Sequence, residues 1–202
     1  MTDMLNKTEM RPVIGLMSGT SADGIDGCIL LTDGQHVKHT NISLCHPYPG
    51  PVEKAIQAAR RDPASFLANP QRRTALINAI TDSHADSVYH LLRRAAEEGL
   101  PAVHLCGFHG QTVYHQPEAG RTIQLGDGNR LAQLCGLPVI YDFRRADMEA
   151  GGQGAPLAPV YHQILLSQAG CQHPAGFLNL GGIANLTACA DTHLLGLDTG
   201  PA

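Results

Sequence analysis

Apolar positions change their spacing along the chain, and the changes divide it into elements. Val13–Met17 is a short apolar run that breaks at Ser18-Gly19-Thr20-Ser21, which predicts a strand entering a loop. Ile25–Leu31 is a second such run, closed by Thr32-Asp33-Gly34, and His36–Cys45 alternates loosely as a third. Short glycine-containing connections between such runs favour antiparallel pairing, so the chain opens with a meander of about three strands. From Pro51 the period lengthens. Val52–Arg60 and Pro63–Glu98 carry helix formers, and Leu76, Ile77, Ile80, His84, Val88, Leu91 and Leu92 fall near one face. Beyond Gly99, Ala102–Cys106 predicts a buried strand that ends at Gly107-Phe108-His109-Gly110-Gln111-Thr112. A strand over Thr122–Leu125, a helix over Asp127–Cys135 capped by Asp127, and a strand over Pro138–Tyr141 follow. The last third reads as a glycine-rich loop at Gly151–Pro156, a helix near Leu157–Ser167, and strands at Gly176–Leu180, Leu186–Ala188 and Leu194–Leu197. Strands first, then strand–helix alternation, predict an α/β fold with a mixed sheet covered by helices.

Composition narrows the function. Net charge is -4 with no long basic run, which argues against a nucleic-acid partner. No apolar stretch approaches the roughly 20 residues that span a bilayer, and Met1–Arg11 lacks a signal-peptide core. The expected location is the cytoplasm, away from membranes, with Cys28, Cys45, Cys106, Cys135, Cys171 and Cys189 reduced and mostly small core residues. Glycine is abundant, at 22 residues, and glycine sits where a backbone must approach a ligand closely.

Three loops share one pattern, a short apolar strand followed by a glycine-rich turn with small hydroxyl or acidic residues: Met17–Asp26, Asn179–Asn185 and Asp198–Pro201. Converging backbone N–H groups in such turns bind anionic oxygens. Ser18, Thr20 and Ser21 could add hydroxyl donors, and Asp23, Asp26 or Asp198 could hold Mg²⁺ through water or act as a base. Each loop alone reads more readily as a plain hairpin or cap, and it is the three together in one chain that point to an anion site. None is a Gly-x4-Gly-Lys-Ser/Thr loop or a Gly-x-Gly-x-x-Gly turn after the first strand. His104, Cys106, His109 and His115 raise the thought of zinc, but their spacing matches no tight ligand pair, and no metal ligand set is assigned.

The full strings carry a resemblance. Met17-Ser18-Gly19-Thr20-Ser21-Ala22-Asp23-Gly24-Ile25-Asp26 is similar to the opening signature of the anhydro-N-acetylmuramic acid kinases. In the same order come Gly107–Thr112, Gln124–Gly128, Asp142–Asp147, Gly151–Leu157, Asn179–Asn185 and Leu197–Pro201. Ala22, Gly27 and Glu149 depart from the family's usual residues without touching a reactive group. The resemblance implies an actin-like ATPase (ribonuclease H-like) fold, with a first domain over 1–141 and the start of a second over 142–202. It also implies that the chain is the amino-terminal part of a longer enzyme. The implied activity is ATP-dependent phosphorylation of 1,6-anhydro-N-acetylmuramic acid at O6 with hydrolytic opening of the anhydro ring, in peptidoglycan recycling. ATP with Mg²⁺ would be held by Gly19, Thr20, Ser21, Ala22, Asp23, Gly24, Ile25 and Asp26, with Gly181 and Gly182. Asp198 would be the general base. His109, Gln111, Thr112, Arg144 and Asn185 are expected at the amino sugar; Arg144 and Arg145 could hold a carboxylate or simply be solvated. A homodimer is left open. Another sugar or carboxylate kinase of the same superfamily, or an ATP-binding fragment without turnover, are the alternatives.

Overall fold

The computed structural model describes residues 9–19, 21–180, 184–190 and 193–200. The expected meander is present as β1 (Arg11–Ser18), β2 (Gly24–Thr32) and β3 (Val37–Pro47), paired antiparallel in sequence order. Three helices follow: α1 (Gly50–Arg61), α2 (Pro63–Leu67) and α3 (Pro70–Glu97). The stretch read as continuous helix from Pro63 is interrupted at Ala68–Asn69. Pro70 is the cause: proline lacks the N–H an unbroken helix needs and biases the residue before it away from helix. Asn69 turns the break into a helix start, its Oδ1 accepting from Arg72 N at 3.0 Å.

β4 (Leu105–Gln116) lies parallel to β1 and then turns to pair antiparallel with β5 (Arg121–Leu125). Beyond α4 (Gly128–Cys135), β6 (Val139–Tyr141) returns parallel to the first half of β4. The strand order is β3-β2-β1-β4-β5, with β6 beside β4. Gly107–Thr112, expected as the loop after a strand, is therefore the centre of a twelve-residue strand. Its glycines and polar residues resemble a loop, yet the backbone pairs with the flanking strands and the Gln111 and His109 side chains find partners in Ser18, Gly19 and Arg144. At Gly110 (φ +71) the strand changes partner from β6 to β5. A Cβ there would lie 2.7 Å from the Leu125 carbonyl, so the bend requires glycine.

The sheet has two different faces because strand side chains alternate. Ile14, Leu16, Ile25, Ile29, Ile42 and Phe108 are buried on one face, under Ile56 of α1 and Leu76, Ile80, His84, Val88 and Leu91 of α3. His84 sits edge-on to Phe108 with ring centroids 4.8 Å apart, and burial lowers its pKa to about 4. The opposite face carries Gly15, Met17, Asp26, Cys28, Cys45, Gly107 and His109 and is largely open.

α5 (Phe143–Glu149) and α6 (Pro159–Gln168) lead to a separate antiparallel meander of β7 (Ala175–Asn179), β8 (Ala184–Ala190) and β9 (His193–Gly200). α6 rests on this second sheet: His162 stacks on Phe177 with centroids 4.1 Å apart and meets Thr187 Oγ1 at 2.8 Å. It also reaches the first sheet, where Gln168 Nε2 donates to the Val37 carbonyl at 2.8 Å. The mixed sheet with flanking helices is the architecture expected. Among the described residues, no helix is long and apolar enough to cross a membrane.

Candidate active site

The loop between β1 and β2 is drawn into a compact turn. Gly19 O accepts from Ala22 N at 3.2 Å, and Ala22 is buried at φ 59, a left-handed conformation costly for a residue with a Cβ. Ser21 Oγ donates to Asp23 Oδ1 at 2.6 Å, and this bond holds the exposed Asp23 carboxyl below its ordinary range. Tyr48 N closes the loop from outside, donating to Asp23 O at 3.0 Å. Gly24 and Ile25 are buried in β2, while Asp26 is exposed and paired with Met17 and Cys45. Thr20, Gly181 and Gly182 lie outside the described residues.

Met17, Asp26, Cys45, Gly107, His109 and Phe143 help to line an open cavity of about 1150 Å³ on the uncovered face of the first sheet. His109 also borders a smaller cavity of about 280 Å³, with Gln124, Asp142 and Arg145. Met17 and Asp26, on the strands that flank the loop, thus meet the histidine at one place, because β1 lies between β2 and β4 with Met17 opposite Asp26 and Leu16 opposite Phe108; Gly19 and Ser21–Gly24 do not line that cavity.

His109 is held on both nitrogens. Nδ1 lies 2.9 Å from the Gly110 carbonyl and so carries the proton; Nε2 accepts from Arg144 Nε at 3.0 Å. Burial, and then the neighbouring guanidinium, keep the ring's pKa below its usual value. Arg144 Nη1 donates to Gly154 O at 2.9 Å, while Gly154 N donates to Asp147 Oδ2 at 2.7 Å. One residue of the Gly151–Pro156 loop is therefore gripped from both sides and fixed over β4. Asp147 was not singled out in the sequence; its place in the Asp142–Asp147 string, before a glycine-rich loop, is the signal that pointed there. Arg145 pairs instead with Asp142.

Gln111 does not face either cavity. It is fully buried, with Nε2 donating to Gly19 O at 3.1 Å and Thr112 O at 3.2 Å, and Oε1 accepting from Ser18 Oγ at 2.5 Å. Ser18, read as a phosphate donor, also turns inward, 2.9 Å from Gly24 O. Thr112 is half-buried and accepts from Gln124 Nε2 at 3.3 Å. His104, Cys106, His109 and His115 do not gather: His115 meets Thr122 Oγ1, His109 meets Arg144, and Cys106 is buried while His104 is exposed.

Asp198 and Asn185 stand opposite each other in the second sheet, on β9 and β8. Asp198 lies inside a strand rather than beyond its end, exposed, and its carboxylate makes no hydrogen bond or ion pair among the described residues. It does not line the cavity that holds Asp26 and His109.

A family model described as anhydro-N-acetylmuramic acid kinase matches residues 11–202. Three relatives carry the same name. The one from Gluconobacter oxydans is 42% identical over 194 residues, covering 93% of this chain and 52% of its own length. That from Rhizorhabdus wittichii is 43% identical over 193 residues (94% and 52%), and that from Rhodopseudomonas palustris 40% over 198 (95% and 53%). The chain spans about half the length of these curated relatives. A solved exopolyphosphatase-like protein is similar at 10% identity and a TM-score of 0.45, over 96% of this chain and 52% of its own. With the family model covering nearly the whole sequence and its relatives above 40% or at it, this chain belongs to the anhydro-N-acetylmuramic acid kinase family.

Proposed function

We propose that the complete protein is an ATP-dependent kinase that opens 1,6-anhydro-N-acetylmuramic acid with water and phosphorylates O6, a step in recycling peptidoglycan fragments. The observation that carries the reading is the compact turn between β1 and β2, beside which Asp26 of β2 opens onto the large cavity next to His109. In this reading the loop holds the phosphates of ATP. The exposed Asp26 carboxylate fits a magnesium ion, which keeps several waters and takes one or two carboxylates with the phosphates, so no closed protein cage is needed. Bound there, the ion supplies charge neutralisation at the phosphates. In this reading the chain divides at 141/142 into a phosphate-loop domain and the start of a second, and the second contributes Asp198 and Asn185, which lie off the cavity of Asp26 and His109, to the sugar side in the complete protein. His109, with Arg144 behind it and Thr112 near by, contributes to the sugar side.

Asp198 acts as the base. The oxygen of water joins C1 and its proton passes to the Asp198 carboxylate as the C1–O6 bond breaks. O6 then takes the γ-phosphoryl group, and the bond from γ-phosphorus to ADP breaks. Its exposed carboxylate, without a hydrogen bond or ion pair among the described residues, is suited to accept a proton. Asp198→Asn in the complete protein is expected to slow turnover about 10²–10⁴-fold, as for loss of a general base. Near-normal ADP release in a coupled assay would refute the role.

A further inference from the structure

We infer that Gln111 is a positioning residue for the phosphate loop, acting from β4 through Ser18 and Gly19, and is not a sugar contact. The inference rests on the reading of Gly19–Asp26 as the nucleotide loop. Its geometry is independent of that reading. The Gln111 amide has two N–H donors and both meet carbonyls, those of Gly19 and Thr112. Reversing the amide would set its oxygen against those two carbonyls, so the orientation is fixed by its surroundings. The oxygen then takes the Ser18 hydroxyl hydrogen, which is shared with Gly24 O.

The bonds reach both margins of the loop. Gly19 O lies at its beginning and Gly24 O at its end, and each is held inward by this pair of side chains. Gly19 O also accepts from Ala22 N, so both of its lone pairs are engaged. With Gly19 O and Gly24 O both held, the turn between β1 and β2 has its two ends fixed before any ligand arrives, and a loop ordered beforehand avoids part of the ordering cost of binding. Gln111 and Ser18 are 0% and 2% exposed, so their partners are shielded from bulk water and removing either side chain leaves buried polar groups short of a bond.

The test is a comparison of KM values in the complete protein carrying Gln111→Ala, Gln111→Glu or Ser18→Ala. The KM for ATP is expected to rise about tenfold in each, the size of one buried hydrogen bond. The KM for the anhydro sugar is expected to change less than about twofold, within the scatter of a distant site. Because both side chains act on one loop, the double variant Ser18→Ala/Gln111→Ala should be no worse for ATP than the more severe single one. Ser18→Ala removes only one oxygen and keeps the test available if the Gln111 variants do not fold. A raised sugar KM with unchanged ATP KM, or additive effects on ATP, overturns the inference. Failure of the unaltered protein to use ATP would instead strike the proposed function itself, and it is seen before any variant is made.

Discussion

The neutral form of His109 is fixed by its bonds: a proton on Nε2 would face the Arg144 guanidinium 3.0 Å away. Its pKa is lowered mainly by burial and further by Arg144, against an unfolded value of about 6.5. A histidine whose folded pKa is depressed favours folding in its neutral form. Its contribution is full above about pH 6.5 and is lost as pH falls through the folded value. Followed by NMR, the His109 ring should titrate below the ordinary imidazole range. In Arg144→Met the midpoint should rise yet stay below that range, because burial remains. An ordinary midpoint in the unaltered protein would contradict the pairing. Only part of this was legible from the sequence. His109 and Arg144 stood in separate strings that invited a ligand reading, but nothing in their spacing said they would bond each other. Gln111 was legible as polar and important, and not as buried, since two of its partners, Ser18 and Gly19, lie more than ninety residues away.

At the scale of elements, α4 tests how local signals hold a fold together. Asp127 Oδ1 caps the helix by accepting from Arg130 N at 2.9 Å, and Asp127 N donates to Thr81 Oγ1 of α3 at 3.0 Å. Arg130 also pairs with Asp82 at 2.7 Å, on a half-exposed surface. Asp127→Ala should cost about 1 kcal/mol, the usual worth of an N-cap, a fall in Tm of roughly 2–4 °C for a chain of this size. Arg130→Met should cost less than about 1 kcal/mol, because solvent screens exposed ion pairs. Equal losses in thermal melts, or a larger loss for Arg130→Met, would contradict that ranking. The cap was visible in the sequence because its chemistry lies within three residues. The opening meander and the long helical face were visible for the same reason, their periods being local. α5 was not: it has seven residues, none of them buried, and so no apolar stripe to read. β4 was cut short because Gly107, Gly110 and Gln111 imitate a loop when their neighbours are unknown.

Across the whole molecule, apolar burial is uneven. The main core gathers residues between Ile14 and Val139, whereas the second sheet exposes Leu178, Leu194, Leu195 and Leu197. Regions with few buried apolar contacts open at lower free energy. Amides of β7–β9 should exchange with deuterium faster than those of β1, β2 and the first half of β4; equal protection by mass spectrometry would show one cooperative unit. Where α6 crosses to β3, Gln168 gives its N–H to the Val37 carbonyl and takes the Val37 N–H on its oxygen, at 2.8 and 3.4 Å. A side-chain amide there imitates the next strand. β3 is a margin of its sheet, and an unfilled margin recruits strands from other molecules. The helix that carries the second meander therefore also plugs a rung of the first, and prising it off would leave that rung ready for a stranger.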